Sequence, residues 1–218
     1  MNDRIARKVG TVDRLLETEY GLPRRRRGDP LDELIAVILS QNTNDTNSGR
    51  AYARMRAAFP TWRDVMNADP AQLEEALRPG GLAKTKSGRI QRILRGIAKR
   101  GALGLDYLSG LSDDEAEQAL LAFAGVGPKT ARCVLMFALG RDVFPIDTHI
   151  ERVLKRLGVL PPDMAVEQAH AYVPQFIAAG RRYVLHMNVI RHGRTVCHPR
   201  NPECPGCVLK RHCDFRGE

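Results

Sequence analysis

Residues 124–131 read Ala-Gly-Val-Gly-Pro-Lys-Thr-Ala and lie between two apolar stretches of helical spacing. The glycines at 125 and 127 let the turn take positive φ and expose consecutive main-chain N–H groups. Pro128 starts the next helix where its missing N–H costs nothing. Such a turn is a nest for an anion, and Lys129 brings a primary amine to its mouth. Eighteen residues on, Asp147 stands in Phe-Pro-Ile-Asp-Thr-His-Ile and by itself reads as a helix N-cap. As a pair, Lys129 and Asp147 permit covalent chemistry on a nucleotide. The amine attacks the sugar C1′ and forms a Schiff base, while the carboxylate stabilises the cationic sugar or accepts the amine's proton. The plainer reading makes Lys129 a counter-charge to phosphate and nothing more.

The second chemical signal is Cys197, Cys204, Cys207 and Cys213, spaced C-x6-C-x2-C-x5-C within 17 residues, whereas Cys133 sits alone in an apolar helical stretch and reads as core. In a reducing compartment four clustered thiols imply a metal centre rather than disulfides. One tight ligand pair with two ligands on longer arms suits the corners of an iron-sulfur cubane, and spacing alone leaves a structural zinc open. Arg194, Arg200, Lys210 and Arg211 stud the same segment, so the centre would fix a basic loop in place rather than carry electrons.

The formal charge of +9 is unevenly spread: residues 1–28 carry +4, residues 191–218 carry +3, and the long middle only +2. Were the two ends to meet, they would form one basic face for phosphates. The run Arg24 to Arg27 also reads as a solvated linker. Only five aromatic Phe, Tyr or Trp residues occur in the first 110 positions, few for stacking single-stranded bases, so duplex DNA is the expected partner. No segment has the roughly 18 to 20 apolar residues of a membrane span, and no secretory core opens the chain. An intracellular protein without a membrane role is expected.

To hold these groups the chain offers helices. Leu31, Leu34, Ile35, Ile38 and Leu39 follow helical spacing behind Asp29 as cap and Pro30 in the first turn. Further helices are expected at about 45–58, 61–67, 70–78, 86–99, 112–122, 128–139, 147–157, 165–179 and 181–192, several beside a capping residue such as Thr61, Asp69, Ser112 or Asp147. No alternating run is long enough for a sheet, so the fold class is all-α. Boundaries are expected at 23–30, at Gly140 to Pro145 and near Gly193. His149 and His192 read as surface or capping positions.

The lysine turn, the Asp-Thr-His-Ile stretch and the cysteine spacing, in this order, resemble endonuclease III of the helix-hairpin-helix DNA glycosylases, over roughly residues 30–213. The resemblance implies a [4Fe-4S] cluster on the four cysteines. It also implies two helical domains with a DNA cleft between them: a six-helix barrel with the hairpin at 29–141, inserted into a cluster domain made of 1–28 and 142–218. Lys129 would be the Schiff-base nucleophile and Asp147 its partner. Gly125, Val126, Gly127 and Thr130 would contact DNA beside the basic residues of the cysteine loop. Gln41 would fill the gap left by an extruded nucleotide, with Leu82 as a second wedge. Gly80 and Asn44 depart from the family pattern, which commonly has a bulkier apolar residue and an Asp there. No Glu stands near Gln41 as in an adenine-removing relative, so oxidised pyrimidines and abasic sites in duplex DNA are the expected substrates. The expected protein is a monomeric, nucleoid-associated cytoplasmic enzyme that removes the base and nicks by β-elimination. The alternatives are a non-catalytic binding module and a glycosylase without lyase activity.

Overall fold

The computed structural model describes residues 2–25 and 27–215, which form helices and connecting turns with no strand among them. Arg26, part of the basic run, lies outside the described residues. The chain divides into two compact units, one made of residues 27–140 and the other of both chain ends, 1–26 and 141–218.

The inserted unit holds α2 (Pro30–Ser40), α3 (Asp45–Ala58), α4 (Trp62–Asn67), α5 (Pro70–Leu77), α6 (Ala83–Ala98), α7 (Asp113–Leu121) and α8 (Pro128–Phe137), after α1 (Asn2–Tyr20) of the other unit. Most of these helices start on a side-chain cap. The Asp29 carboxylate accepts from the N–H groups of Leu31 and Asp32, Asp69 caps α5 in the same way, and Asn44 accepts from Asn47 N–H. Thr61 with Asp64 and Ser112 with Glu115 make reciprocal capping boxes. Each such cap is worth about 1 kcal/mol. Asn44 thus does the capping work of an Asp without its charge. In α2 the expected stripe Leu31, Leu34, Ile35, Ile38 and Leu39 is buried, and α2 packs on α3 and α8. Fully burying each such side chain stabilises by about 1.5–3 kcal/mol. Cys133 is core, as its apolar setting implies.

The unit of the chain ends holds α1, α9 (Thr148–Arg156), α10 (Val166–Tyr172) and α11 (Arg182–Thr195), followed by the cysteine loop with two short 3-10 turns. Here the sequence reading fell short, because α1 is a 19-residue helix in a segment read only through its charge. Ile5, Val9, Val12 and Leu16 recur at helical spacing and pack into a core with Ile150, Val153, Leu154, Leu185 and Val189. Arg181 fastens α1 by donating to Asp13 at 2.7 Å and to Glu17. Lys8 reaches the far end of the chain, donating to the Leu157 carbonyl and pairing with Asp214 at 3.1 Å. The expected helix at 165–179 is shorter, since Pro174 converts its second half to a 3-10 turn at Val173–Phe176.

Arg24, Arg25 and Arg27 of the basic run are exposed, as a solvated run would be, yet the run is tethered to Tyr183. Arg25 lies 4.5 Å from the Tyr183 ring centroid, and the Tyr183 hydroxyl donates to the Arg24 carbonyl at 2.9 Å.

Candidate active site and cysteine loop

In the inserted unit, α7 and α8 flank the turn that carries Lys129. Gly125 has φ +86, where a side chain is strained. Gly127 is extended (φ −101, ψ 176) and serves as N-cap of α8, so one glycine rather than two supplies positive φ. The turn needs only one left-handed residue because Val126 N–H closes it on the Phe123 carbonyl at 3.0 Å. Val126 is buried, and its amide is already used. The open donors are therefore at Gly127 and in the first turn of α8, where main-chain N–H groups lack intrahelical acceptors.

Caps make a further distinction. Within this unit, α6 and α8 begin without a side-chain cap, whereas α2, α3, α4, α5 and α7 each have one. The two uncapped starts are Gly127 and Leu82, both among the residues singled out from sequence. Leu82 is left-handed (φ 48, ψ 35) and 56% exposed. A leucine in that conformation is uncommon and strained, and such strain persists only where the surroundings enforce it. Gly80 below it is explained by space: a Cβ there would meet Ala51 Cβ at 3.1 Å.

Gln41 is half-buried at the C-terminal end of α2. Its amide nitrogen donates to Thr130 Oγ1 at 3.3 Å, and its oxygen accepts from Arg89 at 2.6 Å. Thr130 is itself only 4% exposed. Both ends of the Gln41 amide are thus held within the unit. Its neighbour Asn42 is exposed and, like Leu82, a non-glycine with positive φ, at 52. Left-handed Asn is tolerated because its short side chain bonds locally; no sequence signal separated it from Gln41.

Lys129, half-buried, lines a cavity with Glu33, Ser40, Asp45, Ser48, Tyr52 and Cys133. Glu33 was not legible as a site residue. Burial pushes its carboxyl above the usual range, partly offset by the Lys129 ammonium. The raised value means that the folded state favours the neutral acid. Its contribution to stability is then complete below the unfolded pKa and is lost as pH rises through the folded one. Glu33→Gln is accordingly expected to raise the melting temperature at pH 7 and leave it unchanged at pH 4, read by thermal denaturation at both pH values. Equal shifts at the two would contradict it.

In the other unit, Asp147 is the N-cap of α9, its Oδ1 accepting from Ile150 N–H at 2.8 Å. The cap uses one carboxylate oxygen.

Cys197, Cys204, Cys207 and Cys213 line one cavity with Val153, Leu157, His192 and Leu209, and all four are free thiols. Two arginines on one face of α9 hold the entry to this loop. Arg152 donates to the Cys197 carbonyl at 3.0 Å and to the Gly193 carbonyl at 2.7 Å. Arg156 donates to Cys197 Sγ at 3.2 Å and to the His198 carbonyl at 2.7 Å. The Arg156 carbonyl in turn accepts from Cys213 Sγ at 3.2 Å. Neither arginine stood out in the sequence, where i and i+4 arginines on a helix look like solvated charge.

His192 corrects the expectation of a surface or capping position. It is 2% exposed, its Nδ1 lies 3.0 Å from the Tyr20 hydroxyl and its Nε2 3.5 Å from Cys207 Sγ. The cause is the packing of α1 on α11, which covers that face of α11. Burial pushes its pKa down to about 4, leaving a neutral ring. His149 is half-buried, its Nδ1 3.1 Å from Arg152. Arg194, Arg200, Lys210 and Arg211 are exposed. Among the described residues no three His, Cys, Asp or Glu side chains converge on a single metal-ion site, and no helix is long and apolar enough to cross a membrane.

Residues 35–175 match the family described as HhH-GPD superfamily base excision DNA repair protein. Over 165 residues the chain is 42% identical to At3g47830 of Arabidopsis thaliana, a protein named as a DNA glycosylase, covering 75% of this chain and 56% of that protein. It is 30% identical over 190 residues to endonuclease III of Thermotoga maritima, covering 86% of this chain and 84% of that one. A solved endonuclease III trapped as a covalent intermediate with DNA superposes with a TM-score of 0.80 at 27% identity, covering 98% of this chain and 95% of that one. With an all-helical fold and these matches, the chain belongs to the endonuclease III family of helix-hairpin-helix DNA glycosylases.

Proposed function

We propose that Lys129 is the nucleophile with which this base excision repair glycosylase also acts as an AP lyase on damaged duplex DNA, and that Asp147 is its carboxylate partner. The observation that carries the proposal is the place of Lys129 in the first turn of α8, at the uncapped end of the hairpin and in the wall of a cavity. Nζ attacks C1′ of the extruded nucleotide and the bond to the base breaks, the electron pair leaving with the base, which is protonated. Ring opening gives an iminium between Nζ and C1′. Loss of a C2′ proton then expels the 3′ phosphate by β-elimination, and water hydrolyses the imine to regenerate the amine. Asp147 stabilises positive charge on the sugar during base loss and takes the proton that Nζ sheds.

Main-chain donors at Gly127 and in the first turn of α8 bind a phosphate, and Gly125 shapes the turn that presents them. Extruding a nucleotide costs a few kcal/mol in lost stacking and pairing. Gln41, with the exposed Asn42 beside it, and Leu82, exposed on left-handed backbone, are the side chains that enter the duplex to offset that cost, and Thr130 and Arg89 hold Gln41 in place. Arg194, Arg200, Lys210 and Arg211 add phosphate contacts.

Oxidised pyrimidines are the proposed bases. Borohydride trapping on duplexes carrying a single thymine glycol, oxidised cytosine, 8-oxoguanine or abasic site tests this. Covalent adducts are expected with the pyrimidine lesions and the abasic site. Absence of an adduct on the abasic duplex would refute the lyase assignment.

The four thiols fit a [4Fe-4S] cluster. All four thiols line one cavity whose other walls include Val153, Leu157, Val196 and Leu209, an all-sulfur donor set in a largely apolar surrounding of the kind such a cluster takes. The cluster supplies a rigid anchor for the basic loop. Around it, Arg156 steadies Cys197, and the neutral His192 ring has Nε2 placed to donate to Cys207. Anaerobically purified protein is expected to be brown and to contain iron and acid-labile sulfide in equal amounts. Stoichiometric zinc in a colourless preparation would overturn the assignment.

A further inference from the structure

Lys86 on α6 is 2% exposed, and its ammonium donates to two main-chain carbonyls, Leu39 and Gly80, each at 2.8 Å. A charged amine sealed from water with no carboxylate acceptor is costly, and burial, helped by nearby Arg89, pulls it below the ordinary lysine value. What it joins gives the residue its role. Leu39 lies in the last turn of α2, where carbonyls lack intrahelical donors, and three residues later the chain reaches Asn42. Gly80 ends the 3-10 turn at Arg78–Gly80, and two residues later comes Leu82. Asn42 and Leu82 are two of the three non-glycine residues with positive φ among the described residues, the other being Asn201. One ammonium therefore ties together the two segments that carry left-handed, exposed side chains.

Arg89, three residues further along α6, extends the tie. Its guanidinium holds Gln41 at 2.6 Å, and its Nε occupies the space where a Cβ on Gly125 would fall, 2.6 Å away. A single stretch of α6 thus touches both wedge segments and the hairpin turn.

We propose that Lys86, with Arg89 beside it, is a positioning residue for strand insertion, fixing the spacing of the Gln41–Asn42 segment and Leu82 so that both enter the duplex in one step. The inference rests on the wedge assignment above, and the experiment separates the two. Lys86→Met keeps the length of the side chain and removes its donors. Single-turnover nicking is measured on an abasic site in a fully paired duplex and on the same site opposite a one-nucleotide gap, where no opposite base has to be displaced. A misplacement of about 1 Å can cost about 100-fold. Lys86→Met is expected to lose about that factor on the paired duplex and to stay within about twofold of wild type on the gapped one. Leu82→Ala is expected to slow the paired reaction too, and the double variant to be no slower than the slower single one.

Equal loss on both substrates would show that Lys86 merely holds the fold, and would overturn the proposal, as would a wild-type rate on both. If Leu82→Ala leaves the paired reaction unchanged, the wedge assignment falls and this inference with it. Should Lys86→Met not fold, Gly80→Ala shifts the same loop against Ala51 while keeping the lysine. Slowing confined to the paired duplex and relieved by adding Ala51→Gly supports the proposal, and its absence counts against it.

Discussion

Lys129→Ala is expected to abolish both strand cleavage and the borohydride-trapped adduct, while binding to a non-cleavable abasic duplex survives. The position argues for so clean a separation. Lys129 sits in the first turn of α8 and is only half-buried, and alanine is the residue a helix tolerates best, so truncation leaves the hairpin and its phosphate donors in place. The amine is the only protein group in the proposed scheme that bonds to C1′, and removing a nucleophile costs about 10^4- to 10^6-fold in rate. Lys129→Arg is expected to be equally dead, since a guanidinium is never deprotonated in this pH range. Nicking by Lys129→Ala at the wild-type rate, measured in single turnover on an abasic duplex, would transfer the chemistry to another amine.

The second large effect is expected at Asp147, where one side chain has two candidate jobs. As the N-cap of α9 it accepts the Ile150 N–H, and asparagine performs that task as well as aspartate. As a partner to the nucleophile it needs its charge, which asparagine lacks. Asp147→Asn is therefore expected to keep the wild-type melting temperature yet lose about 100- to 10,000-fold in base release, the range for removing an acid-base group. Asp147→Ala is expected to lose activity similarly and also about 1 kcal/mol of stability with the cap. If Asp147→Asn retains full activity, the residue is a cap and nothing else.

Where local chemistry decides structure, the sequence was readable. Capping side chains at Asp29, Thr61, Asp69, Ser112 and Asp147 mark helix starts, because a short polar side chain there answers N–H groups only a few atoms away. The family motifs were readable for the same reason: hairpin and cysteine loop are short in sequence. What stayed hidden depends on partners far along the chain. α1 needs α11 against its thin apolar stripe. His192 looks like a surface histidine until α1 covers it. Lys86 looks like one more basic residue in Ala-Lys-Thr-Lys-Ser, and only the carbonyls of Leu39 and Gly80 reveal it as buried. Gln41 and Asn42 are adjacent amides, and backbone conformation alone distinguishes the engaged one from the exposed one.

The interleaved chain order of the two units has a consequence for biosynthesis. As the chain leaves the ribosome, α1 emerges well ahead of α11, which lies about 160 residues downstream. At about 5–20 residues per second that interval lasts on the order of ten seconds or more, during which Val9, Val12 and Leu16 lack the α11 side of their core. The inserted unit has all its residues available much earlier and is placed to collapse before its host. A nascent chain arrested before residue 182 would leave α1 with α9 and the Val173–Phe176 turn but without α11, its core only half assembled.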